Sequence, residues 1–294
     1  MKKYLIFRTD RVGDFLLTLS LIKIIKTNQP QSIITVIASK SNSEYIESFE
    51  EVDDVIILKN NLISKIKLIL RLRKIKYESI IVHDGKKRSR FVSFFLKFKK
   101  RIVCFNNLID SQIEIIKKTC EKINLNFNND CLDFLDKRNH NIVNIPFENY
   151  ILLHFDEKWK HNEYIEKYTN IEPDEKELLF FINNIISKNK NLIITSGKKS
   201  PTILHNIQNK VDQKKIQIFL DQNLLEIENI VFKCDLLITC HGWISHIASA
   251  KKIHQIDIID DLYPYHKWTS HFRNYISIKR EPFKILSEKI IDLI

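Results

Sequence analysis

Short runs of β-branched and aliphatic residues alternate with longer stretches whose apolar positions recur at helical spacing. Strands are predicted at residues 4–7, 33–38, 55–58, 79–83 and 101–105, and again at 150–155, 192–195, 216–220, 236–239 and 255–259. Between them, helices are predicted at 15–27, 62–76, 111–123, 174–188 and 224–232. Strands that alternate with helices in this way form parallel sheets covered on both faces, because a parallel connection needs a crossover long enough to hold a helix. The stretch 124–149 breaks the rhythm: it is rich in Asn, has no clean period and contains Pro146. The pattern therefore predicts an α/β chain of two Rossmann-like domains, 1–145 and 146–294, and shows no repeat of solenoid length.

Composition sharpens this in two places. Apolar residues make up 44% of the 294 and charged residues 28%, a globular balance. No apolar run approaches the ~20 residues of a membrane-spanning helix, and the apolar start ends at Arg8, too short for a signal peptide. Cys104, Cys120, Cys131, Cys234 and Cys240 are odd in number and lack CxxC spacing, which argues against a disulfide framework or zinc ribbon and for a cytoplasmic, reduced chain. The net charge of +11 (47 − 36) is uneven: residues 1–149 carry 27 − 17 = +10 and residues 150–294 carry 20 − 19 = +1. Fourteen of those basic residues fall within 65–101, against Glu78 and Asp84 alone. An anionic partner for the first domain is expected, an acidic substrate or a membrane surface.

Glycine is the second informative count. There are four, Gly13, Gly85, Gly197 and Gly242, where average usage of about 7% would give ~20. Each follows a predicted strand within a few residues, two in each half. The carboxyl ends of parallel strands are where open α/β sheets bind ligands, and glycine lets a backbone turn tightly or approach a ligand closely. The two ligand-binding edges are expected to face one another across a cleft.

The first of these loops, Arg8-Thr9-Asp10-Arg11-Val12-Gly13-Asp14, has neither GxGxxG nor GxxxxGK[ST], which removes the usual dinucleotide and P-loop readings. Asp14, at the start of a helix, is either a favourable first-turn acid or a general base for a substrate hydroxyl. His83 and Asp84, followed by Lys86, Lys87, Arg88 and Arg90, would seat an acidic acceptor or form a solvated basic face. Residues 64–77 interleave six basic residues with Ile and Leu, which on a helix gives an apolar core stripe and a basic outer face, or a membrane-surface helix. The 91–98 stretch with Phe91, Phe94, Phe95 and Phe98 would add aromatic anchorage or pack inside.

Three segments, taken in order, resemble glycosyltransferase family 9, the ADP-heptose:lipopolysaccharide heptosyltransferases. They are FRTDRVGDFLLTLSLIKIIK at the start, LLHFDEKWKHNEY at 152–164 and CDLLITCHGWISHIASAKK at 234–252. The resemblance implies a GT-B fold with the active site between two Rossmann-like domains, and inverting, metal-independent sugar transfer. It implies Asp14 as catalytic base, Lys158 as the residue that neutralises the leaving diphosphate, and Gly197, His241, Gly242, Trp243, Ser245 and His246 on the donor side. The residues expected on the acceptor side are Arg11 and Gly13, beside Asp14 in the first loop, and His83, Lys86, Lys87 and Arg88 at the basic helix start. The implied partners are a nucleotide sugar such as ADP-heptose and an anionic glycan or glycolipid of the cell envelope, such as the lipopolysaccharide core; peripheral attachment to the inner membrane leaflet is expected from the basic 64–77 pattern instead. No metal and no nucleic acid are expected.

The sequence departs from the family at the donor segment. His241 stands where the family has an acid, Gly242 and Trp243 replace Thr and Gly, and Lys198-Lys199-Ser200 follow Gly197 in place of a Glu. Cys240, His241 and His246 are too few for a structural zinc site. The alternatives are a non-catalytic member that binds nucleotide sugar or glycan, a nucleic-acid-binding protein using the basic stretch, and another GT-B enzyme such as a sugar-nucleotide epimerase.

Overall fold

The computed structural model describes residues 1–105, 110–135, 138 and 142–294. They form two compact units, Met1–Phe134 with His266–His271, and Leu135–Tyr265 with Phe272–Ile294. The chain thus passes from one unit to the other after Phe134, inside the Asn-rich stretch, and a six-residue return segment near the carboxyl end belongs with the first unit.

In the first unit the chain runs β1 (Lys3–Arg8), α1 (Val12–Asn28), β2 (Ile33–Ala38), α2 (Ser43–Glu47), β3 (Asp54–Ile57), α3 (Leu62–Leu72), β4 (Lys76–Val82), α4 (Lys87–Phe94), β5 (Lys97–Val103) and α5 (Gln112–Lys122). Its five strands are parallel in the order β3-β2-β1-β4-β5. The central strand β1 carries Leu5, Ile6 and Phe7 in succession, all buried, the continuous apolar run of a strand covered on both faces. Helix α1 is apolar on every side, and from Phe15 to Ile25 only Lys23 escapes burial, so it lies within the unit rather than on it.

The second unit runs β6 (Ile151–His154), α6 (Glu175–Ser187), β7 (Leu192–Thr195), α7 (Thr202–Ile207), β8 (Ile216–Phe219), α8 (Leu224–Val231), β9 (Leu236–Cys240), α9 (Trp243–Ala250), β10 (His254–Ile259), α10 (His266–Thr269), β11 (Tyr275–Lys279) and α11 (Phe283–Leu293), with α10 in the return segment of the first unit. Its six strands are parallel in the order β11-β10-β9-β6-β7-β8. Trp159 stacks on Phe155 with ring centroids 4.9 Å apart and meets Phe283 edge-on, which closes one face of this core. Helix α6 starts at a capping box in which Asp174 and Glu177 each accept from the other's backbone N–H.

All ten predicted strands are present. Two expectations needed correction. The helix predicted over 62–76 stops at Leu72, and Lys76-Tyr77 open β4, because they pair with Lys97 and Phe98 of β5. The edge strand β11 went unpredicted; it is half exposed, and although Ile276 and Ile278 alternate with Tyr275, Ser277 and Lys279, the segment is only five residues long and lacks the continuous apolar run of the strands that were predicted.

Candidate active site

In each sheet two neighbouring strands send their chains to opposite sides, which opens a crevice at their carboxyl ends. In the first unit the pair is β1 and β4; in the second it is β6 and β9. Three of the four glycine loops leave these strands, and Gly197 follows β7 next door.

At the first crevice the loops after β1 and β4 are bolted together. Thr9 donates its hydroxyl (2.6 Å) and its N–H (3.2 Å) to one Asp84 carboxylate oxygen, to which Ser89 also donates at 2.7 Å. Arg88 donates to the Thr9 carbonyl at 2.7 Å and to Asn60 at 2.7 Å, and the Lys86 ammonium reaches the Thr9 carbonyl at 3.4 Å. These two basic residues hold the loop, while Lys87 and Arg11 are exposed and Gly13 is buried. Gly85 has φ +60° and sits so tightly that a Cβ would lie 2.4 Å from the Cys104 carbonyl oxygen, so no other residue fits this turn.

Beneath the loops lies Arg8, 3% exposed, donating to Thr18 at 2.6 Å, Asp10 at 3.0 Å and the His83 carbonyl at 3.3 Å. Burial opposes its charge, but Asp10, Asp14 and Asp84 together outweigh that and raise its pKa. Asp10 is raised by burial against the pull of Arg8, with Asp14 and Asp84 adding like charge. Three carboxylates thus share one guanidinium. His83 is buried too, its Nδ1 2.8 Å from the Thr18 hydroxyl; burial first, and then Arg8, hold it well below its ordinary pKa, so it is neutral. Arg8 Nη2, Asp10 Oδ1 and His83 Nε2 are buried without a hydrogen-bond partner among the described residues. Asp14 is the third residue of α1, half-buried. Among the described residues its carboxylate has no hydrogen-bond partner.

At the second crevice β6 ends in His154 and the chain turns through Asp156 into Lys158. Asp156 accepts from the Lys158 ammonium at 2.5 Å and from its N–H at 3.0 Å. Burial alone would lower the Lys158 pKa, yet the Asp156 carboxylate overrides it and raises it; burial likewise opposes ionised Asp156, and Lys158 overrides that and lowers it. Burial pushes neighbouring His154 down to about 4. The ammonium lies against Gly242, the residue that opens α9: a Cβ there would fall 2.7 Å from Nζ. The amino end of a helix carries unpaired N–H groups and partial positive charge, so a buried lysine placed there adds cation to cation. Such an arrangement is complementary to an anion. Replacing Gly242 with any larger residue would push the ammonium away.

No protein-family profile matches the sequence, and no curated protein matches it. Solved structures do. The heptosyltransferase WaaC of E. coli, solved with ADP, superposes with a TM-score of 0.72 at 10% identity over 99% of both chains. A family 9 glycosyltransferase from Veillonella parvula gives 0.66 at 13% identity over 99% of this chain and 88% of that one. A UDP-GlcNAc 2-epimerase from Methanocaldococcus jannaschii gives 0.61 at 14% identity over 99% and 92%. The chain has the GT-B-like fold of the heptosyltransferases. The likeness drawn from three short motifs thus extends, as a likeness of fold, over the whole chain.

Within this fold the 234–252 segment is organised around an acid the sequence reading missed. Asp257, in the middle of β10 and fully buried, lies 2.6 Å from His241 Nδ1 and accepts from Ser245 at 2.9 Å and Tyr275 at 3.1 Å. Its carboxylate takes the Nδ1 side of the ring, which leaves Nε2 as the ring nitrogen turned away from it. Among the described residues His241 Nε2 has no hydrogen-bond partner. Ser245 is fully buried and His246 is 4% exposed, its ring edge-on to Phe272 at 5.1 Å, so both belong to the wall of the site. Trp243 is half-buried, and Gly197 has nothing within 4 Å of where a Cβ would be. The hint that could have revealed Asp257 is its position in QIDII, an acid inside an apolar strand, where a carboxylate survives only if paired. Arg280, also missed, follows β11 and ties the Lys158 carbonyl (2.8 Å) to Thr169 (3.1 Å), with Tyr168 4.8 Å beneath its guanidinium.

Proposed function

We propose that this protein is a glycosyltransferase that moves a sugar from a nucleoside-diphosphate sugar to a hydroxyl of an anionic cell-envelope glycan or glycolipid, with inversion and without a metal. The observation that carries the proposal is the Lys158 ammonium lodged against Gly242 at the amino end of α9. The heptosyltransferase-like fold supports it. In the proposed step Asp14 takes the proton of the acceptor hydroxyl, whose oxygen attacks the anomeric carbon as the bond to the diphosphate breaks in line. The departing nucleoside diphosphate carries the developing charge, which Lys158 and the first N–H groups of α9 stabilise. The unpartnered polar atoms of Arg8, Asp10 and His83 favour a hydroxyl-rich acceptor on the first unit. His241, held by Asp257, presents Nε2 to a donor-sugar hydroxyl, which supplies a hydrogen-bonding group where the family's acid is missing and keeps ADP-heptose among the donors.

Calorimetry with ADP, UDP, GDP and CMP on the wild type and Lys158→Ala tests this. Selective ADP binding, weakened tenfold or more in the variant, is the expected result. Selective UDP binding with turnover of UDP-GlcNAc in the absence of acceptor would instead favour the epimerase reading, whose fold likeness is the weaker at 0.61. Unchanged affinity in Lys158→Ala would remove the lysine from the phosphate site.

A further inference from the structure

Two neighbouring helices of the first unit leave apolar side chains in water. On α3 Leu68 and Leu72 are buried and Ile69 packs against the core, whereas Leu62, Ile63, Ile66 and Leu70 are exposed. Their spacing of three and four residues puts them on one face of the helix, flanked by exposed Lys67, Arg71, Arg73 and Lys74. Of the two readings of the 64–77 pattern, the apolar core stripe thus accounts for Leu68, Ile69 and Leu72 alone. Helix α4 packs beside it and ends in Phe91, Phe94 and Phe95, with Phe94 68% exposed. Between α4 and the end of β5 lies a groove of about 430 Å³, lined by Phe91, Phe94, Phe105, Lys87, Arg90 and Arg101.

The cations of this groove lie beside one another, held by backbone and hydroxyl acceptors rather than by acids. Arg101 donates to the Arg90 carbonyl at 3.1 Å and to Ser93 at 3.0 Å, while the Arg90 guanidinium lies 5.5 Å above the Phe105 ring. Arg90 Nε is buried with no hydrogen-bond partner among the described residues, and none of these makes an ion pair with Lys87, Arg90 or Arg101. Burial, and then the nearby Arg90, lower the Arg101 pKa. Two juxtaposed guanidinium groups without an acid call for an anionic guest.

We propose that the groove seats the phosphate of an anionic phospholipid and that the exposed faces of α3 and α4 insert into the bilayer interface around it. Apolar side chains flanked by Lys and Arg are what an interfacial surface presents. A nucleic acid fits less well: four exposed aliphatic residues offer no stacking face, and the phenylalanines pack edge-on against one another, Phe91 and Phe94 each against Phe95 at 5.2 and 5.4 Å. A second copy docking by the same face would oppose arginine to arginine. The proposal stands apart from the transferase reading, since vesicle binding needs no turnover.

Sedimentation of the full chain with vesicles tests it. The wild type should partition onto phosphatidylglycerol-containing vesicles and not onto phosphatidylcholine alone, and salt should weaken the binding. Arg90→Gln with Arg101→Gln should lower partitioning about tenfold or more, at roughly fivefold per charge. Because Arg101 is hydrogen-bonded, a second variant, Ile63→Ser with Phe94→Ser, changes exposed side chains only and should lose binding with an unchanged melting temperature. Equal binding to both kinds of vesicle, no binding to either, or full binding by the Ile63/Phe94 variant would overturn the proposal. So would salt-sensitive oligonucleotide binding, or self-association, that the same variants abolish while vesicle binding is absent.

Discussion

Asp14 and Lys158 sit in opposite chemical settings, and the difference tells what each can do. Asp14 is half-buried and has no hydrogen-bond partner among the described residues, so a proton can reach its carboxylate. Lys158 is 8% exposed and bound to Asp156, so its charge is fixed and available only to something that comes to the end of α9. Asp14→Ala should accordingly lower transfer by about 10²–10⁴-fold, the usual worth of a general base, and shift the urea midpoint only slightly, because what is lost is a through-space attraction to Arg8 and no hydrogen bond. Wild-type turnover in that variant would remove Asp14 from the base role. Asp14 stood out in the sequence because it follows a strand and lies at the start of a helix, whereas Lys158 was singled out only by the resemblance of 152–164 to the heptosyltransferases. Asp257 and Arg280 stood out in neither way. Their partners, His241 and the Lys158 carbonyl, are 16 and 122 residues away, and nothing local in QIDII or KREP names those partners.

At the level of elements, the strand-to-helix turns are the rigid parts and glycine marks only some of them. Gly85 is confined by its φ of +60° and by the Cys104 carbonyl, whereas Gly197 faces open space. Gly85→Ala should therefore cost about 1–3 kcal/mol of stability, read as a lower urea midpoint, while Gly197→Ala stays within about 0.5 kcal/mol. Equal effects would mean that the turn after β4 tolerates a side chain. The scarcity of glycine thus pointed to the right loops but not to which glycines are required, because that depends on what another strand places against them. Helix α3 makes the same point from the other side. Its interleaved pattern predicts a helix, yet which apolar positions are buried depended on how far β4 extends, and β4 begins at Lys76 because β5 pairs with it.

Across the whole molecule, buried neutral histidines link stability to pH. Burial holds His154 and His271 down to about 4 from 6.5, and burial followed by Arg8 holds His83 lower than usual. Each binds a proton more readily when unfolded, so its contribution is full above pH 6.5 and is lost as pH falls toward 4. Asp156 is lowered in the fold, so its own contribution persists until more acidic pH. The urea midpoint should fall steadily between pH 6.5 and 4.5, with on the order of 3 kcal/mol lost per strongly shifted imidazole by pH 4; a flat midpoint would show that these rings are protonated in the folded protein. The alternation of apolar strands and amphipathic helices by itself determined the ten predicted strands and the α/β class. Those features rest on periods of two and 3.6 residues, which a local segment carries alone. Only the tertiary structure decided that β6 lies beside β9, bringing Lys158 to Gly242, and that β10 slides Asp257 beneath His241. Strand order and register are set by how crossovers pack and by which far segments pair, and no local period encodes that choice.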